Sequence, residues 1–211
     1  SAAVGRSAMS GNTTGGYSVA VGYSALQSCQ TGNFNVAIGY QSLLNSTVTG
    51  NTAVGGLSLK SNTGGDNNVA VGFSALEDNT TGSSNTAVGD RALSNNVTGS
   101  SITAVGRDAL RYNTGANNTA VGRSALETNT SGTQQTAVGN DALKANTTGN
   151  YNQAFGFNAL KENTTANYNT ALGYIALGAN TTGSFNTALG RSGLQANTTG
   201  GSNVAVGDIA L

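Results

Sequence analysis

Nine acidic side chains, nine basic ones and a single thiol are, with the hydroxyls of Ser, Thr and Tyr, what this 211-residue chain offers to catalysis, for it contains no histidine. The usual general base and the commonest metal ligand are therefore missing. The acids (Asp66, Glu77, Asp78, Asp90, Asp108, Glu127, Asp141, Glu162 and Asp208) recur at no fixed spacing as a pair. Neither paired-carboxylate hydrolysis nor a stacked calcium site follows from such scatter, since calcium-binding solenoids place an Asp in every turn. The Asp90-Arg91 and Arg107-Asp108 neighbours read as solvated surface charges. Glycine-rich turns are plentiful, but no Lys-Ser or Lys-Thr closes them and no helix pattern follows, so they are not phosphate loops. The expectation is a chain that is not an enzyme, with no catalytic, cofactor-binding or metal-binding residues and no cofactor.

What positions these residues is a period. Thirteen glycines, from Gly5 to Gly207, stand seventeen residues apart, save for steps of sixteen from Gly39 to Gly55 and from Gly106 to Gly122. Taking that Gly as column 0, column −2 is Ala in every unit and column −1 is Val, Ile, Leu or Phe. Column +3 is mostly Ala, and column +4 is Leu apart from Met9. A polar stretch, typically Asn-Thr-Thr-Gly as at 79–82 and 146–149, completes each unit. Such self-similarity marks a stacked repeat whose units bury their apolar faces only against neighbours.

Seventeen residues cannot hold a helical hairpin, and Asn-Thr-Thr-Gly would interrupt any 3.6-residue apolar stripe. The unit reads instead as a short strand over Asn-Thr-Ala-Val-Gly, a bend, a second extended piece carrying Leu, and a corner where Asn and Gly accept positive backbone angles. The fold class expected is all-β: a parallel β-solenoid, or β-roll, of about 12–13 rungs. At strand spacing its twelve intervals give a rod on the order of 60 Å. Residues 1–211 are expected to form one β-roll repeat domain, a fragment of a longer fibre protein.

Strand side chains alternate, so columns −3 and −1 face opposite to columns −2 and 0. The larger Thr and Val side chains are expected to fill the coil with Leu, leaving an outer strip of Ala and Gly. That bare strip requires a flat partner, and a second copy of the chain fits it. The expected trimer interface is Ala20, Gly22, Ala37, Gly39, Ala87, Gly89, Ala137, Gly139, Ala171 and Gly173.

Ten of the twelve aromatics fall in two columns: Tyr17, Phe34, Tyr151, Tyr168 and Phe185 at −5, and Tyr23, Tyr40, Phe73, Phe157 and Tyr174 at +1. Six residues separate the columns, roughly 20 Å if extended, too far for contact within one turn. Three readings stand: meeting across a subunit boundary, independent aromatics exposed at corners, or a ligand-recognition stripe. Column +1 also carries Arg6, Arg107, Arg123 and Arg191, so its edge mixes residue types common at recognition hot spots. Cys29 replaces the usual Asn of column +7. It reads as a neutral corner substitution or, less simply, an intersubunit bridge.

Zero net charge with 9% charged residues lacks the basic face that nucleic acid or anionic lipid requires. No window approaches the apolar length of a membrane span, so direct membrane insertion is not expected. Proline is absent, which suits a ladder that uses every backbone donor.

The run Asn-Thr-Ala-Val-Gly-x-x-Ala-Leu, with Ala20-Val21-Gly22 and Ala37-Ile38-Gly39 among its matches, resembles the head repeats of YadA-like trimeric autotransporter adhesins. It is also similar to arrays in trimeric phage tail-fibre-like proteins. The adhesin heads usually repeat every fourteen or so residues, three fewer than here. The resemblance implies a β-roll packed as a homotrimer, serving as shaft or head of an extracellular, cell-surface or virion adhesin, with a host-cell, glycan or other surface receptor as partner. Two other functions stay open: an ice-binding solenoid, and a carbohydrate-binding or depolymerising fibre.

Overall fold

The computed structural model describes residues 1–211 as thirteen three-residue strands, from β1 (Ala2–Val4) to β13 (Val204–Val206). The fold is a parallel β-solenoid of about twelve turns with a repeat of about seventeen residues. The chain packs as two compact units, Ser1–Ile102 and Thr103–Leu211. Within each unit every strand pairs in parallel with the next in sequence, always Ala on Ala, as in Ala20↔Ala37 and Ala154↔Ala171. The two sixteen-residue steps leave this register intact, Val36 opposing Thr52 and Thr103 opposing Thr119. The missing residue is taken from the corner: Asn113 reaches the Gly115 carbonyl two residues on, where Asn62 reaches Gly65 three residues on.

The inside of the coil corrects the expected assignment of faces. Ala20, Ala37, Ala87, Ala137 and Ala171 are fully buried within their own turns, together with Leu26, Leu43, Leu126 and Leu160 from the opposite wall. The Val residues of column −1 point out: Val21, Ile38, Val71 and Val121 are 36–40% exposed. The physical reason is volume. A seventeen-residue coil encloses a narrow lumen, already filled by two Ala, one Leu and two amide side chains per turn, and interiors close-packed in this way admit no further Val.

Gly22, Gly39, Gly139 and Gly173 are approached closely, but by their own chain, and Gly89 shares their positive φ, at 135°. A Cβ on Gly39 would lie 2.6 Å from the Gly55 carbonyl carbon, and Gly39 has φ +134°. Gly22, Gly39, Gly139 and Gly173 are thus required by the turn stacked beneath them, and neither these glycines nor the inward alanines form an outer strip.

The expected second strand is a left-handed turn. Ser24 (φ 52°) and Leu26 (φ 51°), with their counterparts in the other turns, take positive φ. For a residue with a Cβ this costs about 1–2 kcal/mol. Burying Leu offsets it with roughly 1.5–3 kcal/mol, and the Leu26 N–H donates to the Ser42 carbonyl of the next turn (3.0 Å).

Two amide ladders complete the core. In column −4 the backbone N–H of Asn51 donates to Asn35 Oδ1 (2.9 Å), while Asn51 Nδ2 donates to the Gly65 carbonyl (3.0 Å); Asn68, Asn85, Asn169 and Asn186 repeat the arrangement. In column +7 the side chains bond directly: Asn146 Nδ2 to Asn129 Oδ1, and Asn163 Nδ2 to Asn146 Oδ1, both 2.8 Å. Buried amides are costly unless both ends are satisfied, and stacking identical amides satisfies both. Outside, Thr130, Thr147, Thr164 and Thr181 hydroxyls donate to carbonyls one turn on (2.9–3.1 Å).

Candidate interaction surface

Because Ala and Asn take the inside, strand alternation turns columns −3 and −1 outward on every turn. Column −3 carries Val or Thr, as at Val19, Val69, Thr86, Thr119 and Thr170, exposed or half-buried. Column −1 carries Val, Ile, Leu or Phe. The in-register pairing Val21↔Ile38, Val54↔Val71 and Leu172↔Leu189 sets these side chains one above another. Each unit therefore presents a strip two side chains wide, aliphatic and Thr, unbroken along its stacked strands except at Gln153 and at Ala2.

Aromatic columns flank the strip in sequence. Tyr17, Phe34, Tyr151, Tyr168 and Phe185, with Tyr23, Tyr40, Phe73, Phe157 and Tyr174, are 43–78% exposed, so none belongs to the core. Rings on neighbouring turns stack face to face within a column: Tyr17 on Phe34 (centroids 5.1 Å, 9°), Tyr151 on Tyr168 (4.7 Å, 3°), Tyr168 on Phe185 (5.2 Å, 7°). Column +1 does the same with Tyr23 on Tyr40 and Phe157 on Tyr174. Each stacked pair contributes about 0.5–1.5 kcal/mol beyond its area. Stacking also occupies the ring faces and leaves ring edges and hydroxyls to the solvent.

Arg residues extend column +1. Arg6 lies over the Tyr23 ring (5.8 Å). Arg191 grips Asp208 of the next turn through Nε and Nη2 (2.7 and 2.8 Å). This fork holds the Asp208 carboxyl below its ordinary pKa and raises that of Arg191. Arg123 Nε donates to Asn140 Oδ1 (2.9 Å).

The remaining chemistry-bearing residues do not converge. No three His, Cys, Asp or Glu side chains come together, and no helix is long and apolar enough to cross a membrane. Cys29 is wholly buried in the column +7 amide ladder rather than at an open corner, so an intersubunit disulfide would require opening its turn. Burial pushes its thiol pKa up, against hydrogen bonds with Gly32 and Asn35. The outward facing of the Val and Thr columns, and the burial of the Asn ladders inside the coil rather than along its corners, are what reading the residues alone missed. Their signal lay in tolerance: Ala never varies at −2, whereas columns −3 and −1 change among Thr, Val, Ala, Gln, Ile, Leu and Phe as surface positions do. No family model, curated protein or solved structure matches the chain.

Proposed function

We propose that this chain is a segment of a homotrimeric, non-enzymatic surface fibre, the shaft or head of an extracellular or virion adhesin of the YadA-like kind. One observation carries the reading: the outward strip of aliphatic side chains, in register turn after turn. Solitary soluble proteins rarely leave apolar patches larger than roughly a few hundred Å² in water, and a strip that lengthens with every turn has no covering segment within its own coil. Sister chains cover it most simply, since an in-register array is complementary to itself. The number three comes from the resemblance of the Asn-Thr-Ala-Val-Gly-x-x-Ala-Leu units to adhesin heads. The fibre works by holding a binding tip away from a surface or by repeating weak contacts, with avidity from multivalency. Native mass measurement tests this: three copies of the 20.9 kDa chain, about 63 kDa, support it, and a monomer at micromolar concentration overturns it.

A second reading rests on the same strip. Outward Thr-x-Val rows such as Thr119/Val121 and Thr136/Val138, paired in register, form a regular array of the kind that orders water. Ice binding needs that array free, so thermal hysteresis from a monomer would replace the fibre reading.

A further inference from the structure

Columns −5 and +1 change together along the chain. Where −5 is aromatic, +1 is aromatic or Arg: Tyr17 goes with Tyr23, Tyr168 with Tyr174, Phe185 with Arg191. Where −5 is glycine, so is +1, at Gly50 and Gly56. Where −5 is Ser, Asn or Gln, +1 is charged or amide, with Asn67/Phe73 as the exception. Nothing inside one coil explains this matching. The stacked rings pair along each column, one turn to the next, and six residues of largely extended backbone, up to about 20 Å, separate the columns within a turn.

Resting on the oligomer reading above, we propose that the two columns are opposite sides of one seam: the −5 edge of each copy meets the +1 edge of its neighbour at the same turn. A closed ring of heterologous contacts has this property, every copy presenting both edges and every seam being identical. The apolar strip then lies at the centre, and the seam residues set the stagger between copies to zero turns. At every level but that of Asn67 and Phe73, residues of similar kind face each other, aromatic on aromatic or Arg, Gly on Gly, polar on polar. A slip of one turn would set Gly50 against a neighbour's Phe73, Gln134 against its Phe157 and Phe185 against its Asp208. Slipping by one turn replaces like with like on the outward Thr and Val columns, so register needs such a device.

The test is charge exchange, read as the dissociation constant of the oligomer by sedimentation. Tyr168→Glu and Tyr174→Lys each loosen the assembly; combined in one chain they restore it, whereas Tyr168→Glu with Phe157→Lys, one turn out of step, do not. In a second pair that leaves every ring in place, Asn117→Glu tightens the assembly about two- to five-fold by facing Arg123, and Asn117→Lys loosens it by a similar factor. Circular dichroism checks that each variant keeps its strands. If the assembly forms but single variants leave it unchanged, or rescue appears only out of step, the zero-stagger seam is overturned while the fibre reading stands. If the unaltered chain is a monomer, both fall.

Discussion

Replacing Cys29 by Asn should make the protein more stable. Asn occupies column +7 in most turns, and its side chain both donates to the turn before and accepts from the turn after. At Cys29 the ladder breaks: Asn12 Oδ1 is buried with no hydrogen-bond partner, and Ser46 Oγ, one turn further, is likewise unpartnered. An Asn at 29 inherits the backbone geometry of its column, so its Nδ2 reaches Asn12 Oδ1 and the Gly32 carbonyl, as Asn79 Nδ2 reaches Asn62 Oδ1 and the Gly82 carbonyl (both 2.9 Å). Its own Oδ1 gains a donor in Asn35 Nδ2, as Asn113 Oδ1 does in Asn118 Nδ2 (3.1 Å). A buried orphan costs about 1–3 kcal/mol and a made bond nets about 1 kcal/mol, so after loss of the thiol's packing the gain should be about 1–2 kcal/mol. For a chain of this size that raises the melting temperature by about 2–8 °C. The mirror change, Asn146→Cys, severs two turn-to-turn bonds and one to Gly149. It should cost about 3 kcal/mol. Urea unfolding followed by circular dichroism measures both, with the slope expected to stay constant. Unchanged or lowered stability for Cys29→Asn at constant slope would refute the claim that the amide ladder holds the coil together.

Gly139→Ala places a Cβ against the Gly156 carbonyl at φ +136° and should destabilise its unit by more than about 3 kcal/mol in the same assay. The Cys29 thiol should not react with a thiol-specific reagent such as DTNB at neutral pH until the chain is denatured, because it is buried and its pKa is raised. Asp208, held low by Arg191, should titrate below the ordinary aspartate value of 3.8 when its carboxyl is followed by NMR. Its folded pKa lies under its unfolded one, so the stabilisation from the pair is present above the unfolded value and lost as pH falls through the folded value. Arg191→Gln should return the titration to normal.

The winding itself was legible: a Gly every seventeen residues, with Ala two before and Leu four after, leaves little but a parallel coil. Which way the strand faces could not be read from alternation alone, because alternation says only that Ala20 and Val21 point oppositely. The sense depends on how much the lumen must hold, and that required knowing that Asn35 and Asn79 lie inside it. Asn was expected at corners because it tolerates left-handed backbone. In the fold Asn67, Asn117 and Asn158 do take left-handed angles, but so do Leu26, Ser24 and even Tyr17, while the Asn of columns −4 and +7 goes inward because a stacked amide satisfies its neighbour. The aromatic columns were visible as columns, and their stacking follows from the register.

Sedimentation of the wild-type chain beside a Val54→Lys, Val71→Lys, Val88→Lys variant most directly tests whether alanine faces in and the valine strip is covered by sister chains. The wild type should sediment as a trimer, and the variant should keep its strands by circular dichroism but sediment as a monomer. A wild-type monomer, or a variant that unfolds because those valines were core, would contradict that arrangement.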